Sequence, residues 1–170
     1  SLIGRKEVLT GKAKFGIFGD GKEIPQIAMA KQFKEVDFRS GYYRDQTFML
    51  AIDHVTPQQL FAQLYAHADV EADPSSAGRQ MNSHFATRLI DEDGNWIDQT
   101  KSKNTASDIS PTAGQMARLL GLAQASKVYR NEKALKGKEW KKLSNKGNEI
   151  AFGTIGDAST SEGVFWETIN

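Results

Sequence analysis

The sequence predicts an α/β layered domain with a mainly parallel sheet. Two observations predict it. Helical and strand-like patterns take turns along the chain, with short apolar strand runs rather than long alternating ones. In addition, 170 residues with 39% hydrophobic content suffice for one domain with its own core, and no internal repeat suggests an array.

Each element has its own signal. Residues 21–33 carry Ile24, Ile27, Ala28 and Ala30 at helical spacing after a glycine-rich entry. "RSGYYRDQ" is short, aromatic and punctuated by Gly41, which predicts a brief strand ending near Tyr43 and Arg44. "HVTPQQLFAQLYAHA" starts a helix: Thr56 caps, Pro57 suits the first helical position and Gln59 completes a capping box. Leu60, Phe61, Leu64 and Tyr65 form its predicted buried face. From Asp69 to Ser110 the pattern fades into polar, turn-rich sequence, so surface loops are expected, and loops of this length are usually functional or disordered. Ser110-Pro111 gives a second cap-plus-proline signal, with Met116, Leu119, Leu120 and Ala123 on one face of the helix that follows. The basic stretch "NEKALKGKEWKKLSNKGN" separates that helix from a closing strand over 150–155. Ser159 and Glu162 then have the spacing of a capping box that opens a last helix. Ser1 opens mid-pattern and Asn170 arrives early in that helix, so the expectation is a truncated chain.

Composition narrows the function. Lys and Arg total 22 against 21 Asp and Glu, which gives no general electrostatic reason to expect nucleic acid or an anionic membrane as partner. The absence of cysteine removes disulfides, iron–sulfur clusters, thiolate zinc sites and cysteine nucleophiles. No apolar run approaches the length of a membrane span, and the first residues lack the form of a signal peptide; a cytoplasmic setting is compatible.

Two glycine-rich stretches compete for a phosphate. "GIFGDGKE" nearly satisfies the phosphate-loop pattern but ends in Glu23 where a metal-binding hydroxyl is needed, so it reads as a helix entry turn. The second runs from Gly156 to Gly163, where a strand feeds a helix through a tight turn that presents backbone N–H groups. Asp157 stands at its mouth. A carboxylate beside a phosphate costs Coulomb energy, whereas a divalent cation between them reverses the sign. Magnesium favours one or two carboxylates together with substrate phosphates. An ordinary exposed turn aspartate is the competing reading.

"GDASTSEG" resembles the segment that opens the thiamine diphosphate motif in the α part of the decarboxylating component of 2-oxo acid dehydrogenase complexes. Four other stretches resemble that family in the same order: "GKEIPQIAMA", "YYRDQ", "SSAGRQMNSHF" and "ISPTAGQMARLLGLAQA". The wording is closest to bacterial forms in which α and β parts are fused. The resemblance implies a three-layer thiamine-diphosphate-binding fold, here incomplete, with residues 1–170 as one partial domain.

It implies roles as well. Tyr43 and Arg44 bind the diphosphate and Asp157 binds magnesium. The backbone at Gly156, Ala158 and Ser159 approaches the phosphates. Ser110 and Thr112 lie where the family's main chain meets the aminopyrimidine ring. His84, in a loop near the substrate end, is the candidate catalytic side chain. Each has a plainer alternative: a strand end with a surface ion pair, a helix cap, a loop histidine. Ala158 replaces the second glycine of the family's core and crowds the approach to phosphate. The asparagines that complete the metal shell fall beyond Asn170, and a required glutamate belongs to the β part. The chain alone is therefore expected neither to bind the cofactor tightly nor to turn over. The implied parent decarboxylates a 2-oxo acid and passes the acyl group to a lipoyl-bearing acyltransferase, with the β part as partner in an oligomer. A transketolase-like enzyme and a non-catalytic α/β binding module remain the alternatives.

Overall fold

The computed structural model describes residues 1–137 and 140–170. Lys138 and Glu139 of the basic stretch lie outside the described residues. The chain divides into two compact units, residues 1–32 with 43–86, and residues 33–42 with 87–170.

The first unit is helical: α1 (Leu2–Leu9), α2 (Glu23–Gln32), α3 (Gln46–Ala51) and α4 (Pro57–Leu64). "GIFGDGKE" is the helix entry turn expected, with Gly21 at φ 82° just before α2. Gln26 joins α2 to α3: its Nε2 donates to the Arg44 carbonyl at 2.8 Å and its Oε1 accepts from the Phe48 amide at 3.0 Å. Phe48, Met49, Ile52, Val55, Leu64 and Phe85 supply buried apolar surface. The capping box on α4 forms as the sequence predicts, with Thr56 accepting from the Gln59 amide and Gln59 from the Thr56 amide. Its buried face is shifted. Leu64 is buried and Leu60 and Phe61 half-buried, but Tyr65 is exposed, its hydroxyl donating to Glu7 at 2.6 Å, and Gln63 is buried instead.

The second unit holds a parallel three-stranded sheet in the order β2-β1-β3, from β1 (Phe38–Ser40), β2 (Asn104–Thr105) and β3 (Ala151–Gly153). α5 (Gly114–Asn131) packs on β1 and β3, and α6 (Gly163–Ile169) packs on α5. Asp37 sets the amino end of the sheet. Its carboxylate accepts from the amides of Lys34 and Ile150, both at 2.8 Å, and its carbonyl accepts from the Asn104 amide at 3.0 Å. Phe33 meets Phe152 edge to face at 5.0 Å. Because all three strands run the same way, their carboxyl ends open on one edge, the place where ligands collect in such sheets.

Several local expectations are corrected. β1 ends at Ser40, before Tyr43 and Arg44. The stretch from Asp69 to Ser110 is not a set of surface loops: it contains β2, and Asp73, Asn82, Ser83, His84, Gln99, Asn104, Thr105 and Asp108 are buried. Polar side chains, most of them hydrogen-bonded, carry this burial, so no apolar period marks it; Asn82 Oδ1 and Gln99 Oε1 are the buried oxygens of this stretch without a partner among the described residues. Asn104, for example, donates from Nδ2 to the carbonyls of Gln99 and Ser102, both at 2.9 Å. Ser110-Pro111 opens a turn closed by the Gly114 amide on the Pro111 carbonyl at 3.1 Å, and α5 starts only after Ala113 in left-handed conformation. Of its predicted face Met116 is buried, Leu119 half-buried, and Leu120 and Ala123 exposed. The Ser159–Glu162 capping box does not form. Residues 158–161 make a 3₁₀ turn in which the Glu162 amide donates to the Ser159 carbonyl, leaving it no bond for the Ser159 hydroxyl.

Candidate functional site

In the first unit the structure brings together three side chains from two separate stretches of the sequence. The Arg44 guanidinium lies 5.1 Å from the centroid of the Tyr43 ring, and that ring stacks on the His84 imidazole at 6.1 Å and 23°. A cation held over an aromatic face keeps its donors directed outward. Arg44 makes no salt bridge among the described residues, so its charge is uncompensated by a carboxylate there. Gln26 fixes the backbone at Arg44, and α3 begins two residues later.

His84 is buried, and its Nδ1 lies 3.2 Å from the Asn82 carbonyl. A proton donated from Nδ1 to that oxygen makes Nε2 the basic nitrogen. The loop carrying His84 is held by two residues that the sequence did not single out. Gln63 donates to the His84 carbonyl at 3.1 Å and to Asp73 at 3.2 Å, and accepts from the Ser83 amide at 2.8 Å. Asp73, with no exposed surface, also accepts from the amides of Ser75, Ser76 and Gly78 and from the Ser76 hydroxyl. Burial pushes its pKa upward, but the hydrogen bonds from Gly78, Ser76 and Gln63 outweigh it and hold the carboxyl below its ordinary value.

In the second unit the candidate residues follow the carboxyl ends of β2 and β3. Ser110, Thr112, Asp157 and Ala158 are exposed, and Gly156 and Ser159 partly so. Asp157 precedes the 3₁₀ turn but its side chain makes no capping bond, which leaves a single carboxylate at the exit of β3. A Cβ at Gly156 would meet only the Ser159 hydroxyl at 3.4 Å and Tyr42 at 3.7 Å, so the approach to this turn is open. The Ser159 amide is taken by the Gly156 carbonyl at 3.1 Å, so at this residue the hydroxyl is the donor left to offer.

A buried network braces this edge. Arg39 on β1 has no exposed surface and forms a paired contact with Asp108 at 3.0 and 3.2 Å. It also donates to the Thr105 hydroxyl at 2.7 Å and the Tyr42 carbonyl at 3.0 Å. Gln115 ties α5 to two strand ends: its carbonyl accepts from the Ser40 hydroxyl and its Nε2 donates to the Thr154 carbonyl, each at 2.9 Å. Arg39, Asp108 and Gln115 thus hold the turns after β1, β2 and β3 in register. Gln115 lies in the stretch "ISPTAGQMARLLGLAQA", whose resemblance to the family was the one sequence signal for any of them. No group of three or more His, Cys, Asp or Glu side chains that could hold a metal occurs among the described residues. One carboxylate together with phosphate oxygens is nevertheless a donor set that suits magnesium.

The dehydrogenase E1 component family model matches residues 5–170. The chain belongs to the dehydrogenase E1 component family. It is similar to the 2-oxoisovalerate dehydrogenase subunit alpha of Bacillus subtilis (strain 168), with 29% identity over 162 residues, 95% of this chain and 39% of the relative. The chain therefore spans about two fifths of the length of that relative. The E1 family implies thiamine diphosphate as cofactor. The mixed α/β architecture with a parallel sheet agrees with an incomplete form of the fold that binds it.

Proposed function

We propose that this chain, as one partial domain over residues 1–170, is the diphosphate- and magnesium-anchoring part of a thiamine-diphosphate-dependent 2-oxo acid dehydrogenase. The observation that carries the reading is the Arg44–Tyr43–His84 stack in a chain that the E1 family model matches almost end to end.

In this reading Arg44 takes a diphosphate oxygen through a charge-assisted bond and Tyr43 donates its hydroxyl. Asp157 holds magnesium, the turn at Gly156, Ala158 and Ser159 meets the phosphates, and Ser110 and Thr112 meet the aminopyrimidine ring. His84 faces the substrate end, where its basic nitrogen holds or releases a proton. When bound, thiamine diphosphate supplies a carbanion and an electron sink for decarboxylation. The protein's own contribution is to bind, to orient and to fix charge in advance. The relative's name points to a branched-chain 2-oxo acid as substrate. The β part, a lipoyl-bearing acyltransferase and further copies in an oligomer are the expected partners, in a cytoplasmic setting. No helix among the described residues is long and apolar enough to cross a membrane.

The test is carbon dioxide release from 2-oxoisovalerate by the full-length protein supplied with its β part, thiamine diphosphate and magnesium. Release that requires all three agrees with the proposal. Ketol transfer between sugar phosphates in its place would establish the transketolase-like alternative, and neither activity would leave a binding module.

A further inference from the structure

The basic stretch between α5 and β3 has no part in the proposed cofactor site. Residues 130–146 hold seven Lys and Arg against two Glu, a net +5 in a chain whose total is +1. In the second unit this stretch walls an open cleft of about 900 Å³. Arg130, Lys141 and Lys146 line it, and no carboxylate does so among the described residues. None of the three cations forms an ion pair among those residues. Tyr129, Leu135 and Trp140 supply an apolar wall, the two rings tilted at 47° with centroids 6.4 Å apart.

One turn sets two of the cations in place. Lys146 and Gly147 are left-handed, at φ 58° and 74°, in a turn closed by the Asn148 amide on the Asn145 carbonyl at 3.1 Å. The Gly147 amide donates to the Ser144 hydroxyl at 2.8 Å, and that hydroxyl donates to the buried Glu149 at 2.7 Å. Glu149 also accepts from the Asn145 amide at 3.0 Å, so its carboxylate is spent on the turn itself. The Gly147 carbonyl accepts from Arg130 Nε at 3.1 Å, which ties Arg130 to the turn that carries Lys146. Glycine is required at 147, where a Cβ would collide with the Ser126 carbonyl. At 146, asparagine or glycine would close the turn at lower cost than lysine, so the turn's geometry gives no reason for a lysine there. Three like charges converging on one cleft repel one another, and an anion among them reverses the sign.

We propose that this cleft binds a nucleoside diphosphate, with its phosphates on Arg130, Lys141 and Lys146 and its base against Tyr129 and Trp140. A diphosphate carries roughly three negative charges at neutral pH, which matches the three cations. Arginine and lysine are the side chains that hold phosphate by charge-assisted bonds. A bare inorganic anion would leave the apolar wall in water, whereas a flat base covers aromatic side chains and gains stacking energy. The volume lies in the upper part of the range for small-ligand sites, roughly 300–1,000 Å³.

The experiment is calorimetric titration of the full-length protein with ADP, adenosine and inorganic pyrophosphate in turn, all without magnesium, so that ADP keeps its full charge and no metal bridges it to Asp157. ADP is expected to bind saturably, and more weakly as salt rises. Adenosine lacks the charge and pyrophosphate lacks the ring, and each is expected to bind at least tenfold more weakly than ADP. The double change Lys141→Gln with Lys146→Asn removes two charges, while asparagine keeps the left-handed turn; it is expected to weaken ADP binding at least tenfold. Arg44→Met is expected to bind ADP as the wild type does, which separates this cleft from the site of the dehydrogenase proposal. No saturable heat from ADP, equal binding of adenosine or pyrophosphate, unchanged affinity in the folded double variant, or loss of ADP binding in Arg44→Met would each overturn the proposal. The comparison of the three ligands uses the unaltered protein, so it stands if the double variant fails to fold. No decarboxylation is read, so the outcome is independent of the dehydrogenase proposal.

Discussion

Replacing Asp73 by asparagine exchanges one carboxylate oxygen for an amide nitrogen and removes one charge, yet the structure predicts a large loss. Oδ1 accepts from Gln63 Nε2, Ser75 N and Ser76 N at 3.2–3.3 Å, and Oδ2 from the Ser76 hydroxyl at 2.7 Å and Gly78 N at 3.0 Å. An asparagine must turn its NH₂ toward one of these sets. The less costly choice faces Ser76 and Gly78, where the hydroxyl can reverse but the Gly78 amide is left without an acceptor. One orphaned buried amide costs about 1–3 kcal/mol, and the remaining bonds lose their charge assistance, for a total of about 3 kcal/mol. With a urea slope of roughly 2 kcal/mol per molar, the unfolding midpoint of Asp73→Asn falls by about 1.5 M. The pH dependence follows from the lowered pKa of this carboxyl in the folded chain. Its contribution is fully present above the unfolded value of about 4 and is lost as pH falls through the lower folded value. Wild-type stability therefore drops with acidification below about pH 4 more steeply than that of the variant. An unchanged midpoint, or identical pH profiles, would refute the claim that this carboxylate organises the loop bearing His84.

Three other outcomes are expected. Arg39→Met leaves Asp108 buried without its cation and destabilises by about 3–5 kcal/mol in thermal melting, while the double change Arg39→Met with Asp108→Leu recovers most of the loss. Gly78→Ala forces a side chain at φ 71° with its Cβ 2.6 Å from the Ala66 carbonyl oxygen, costing roughly 2–4 kcal/mol in a denaturation curve. Thr56→Ala removes the cap of α4 and costs about 1 kcal/mol, seen as faster hydrogen exchange at the Gln59 amide.

What the sequence revealed, and what it hid, follows from the kind of force involved. The α4 start was legible because a capping box is local: donor and acceptor lie three residues apart in the chain, and Thr56 and Gln59 meet as expected. The same spacing at Ser159 and Glu162 misled, because the backbone there prefers a 3₁₀ turn after the strand and spends the amide on a carbonyl. β2 was missed since two residues carry no period, and α3 since six residues give fewer than two turns. Motifs pointed to Tyr43, Arg44, His84 and Asp157, but the stacking of the first three joins stretches about forty residues apart, which only the fold provides. Arg39 with Asp108, and Gln63 with Asp73, are polar pairs of the interior. Nothing in hydrophobic periodicity marks a buried charge, and their partners lie 69 and 10 residues away.

The proposal assigns Arg44 to the diphosphate and Asp157 to magnesium. Calorimetric titration of thiamine diphosphate into the full-length protein, with and without magnesium, tests it most directly when repeated on Arg44→Met and Asp157→Ala. The account predicts magnesium-dependent binding in the wild type, at least tenfold weaker binding in Arg44→Met, and loss of the magnesium dependence in Asp157→Ala. Wild-type affinity and full magnesium dependence in both variants would contradict it.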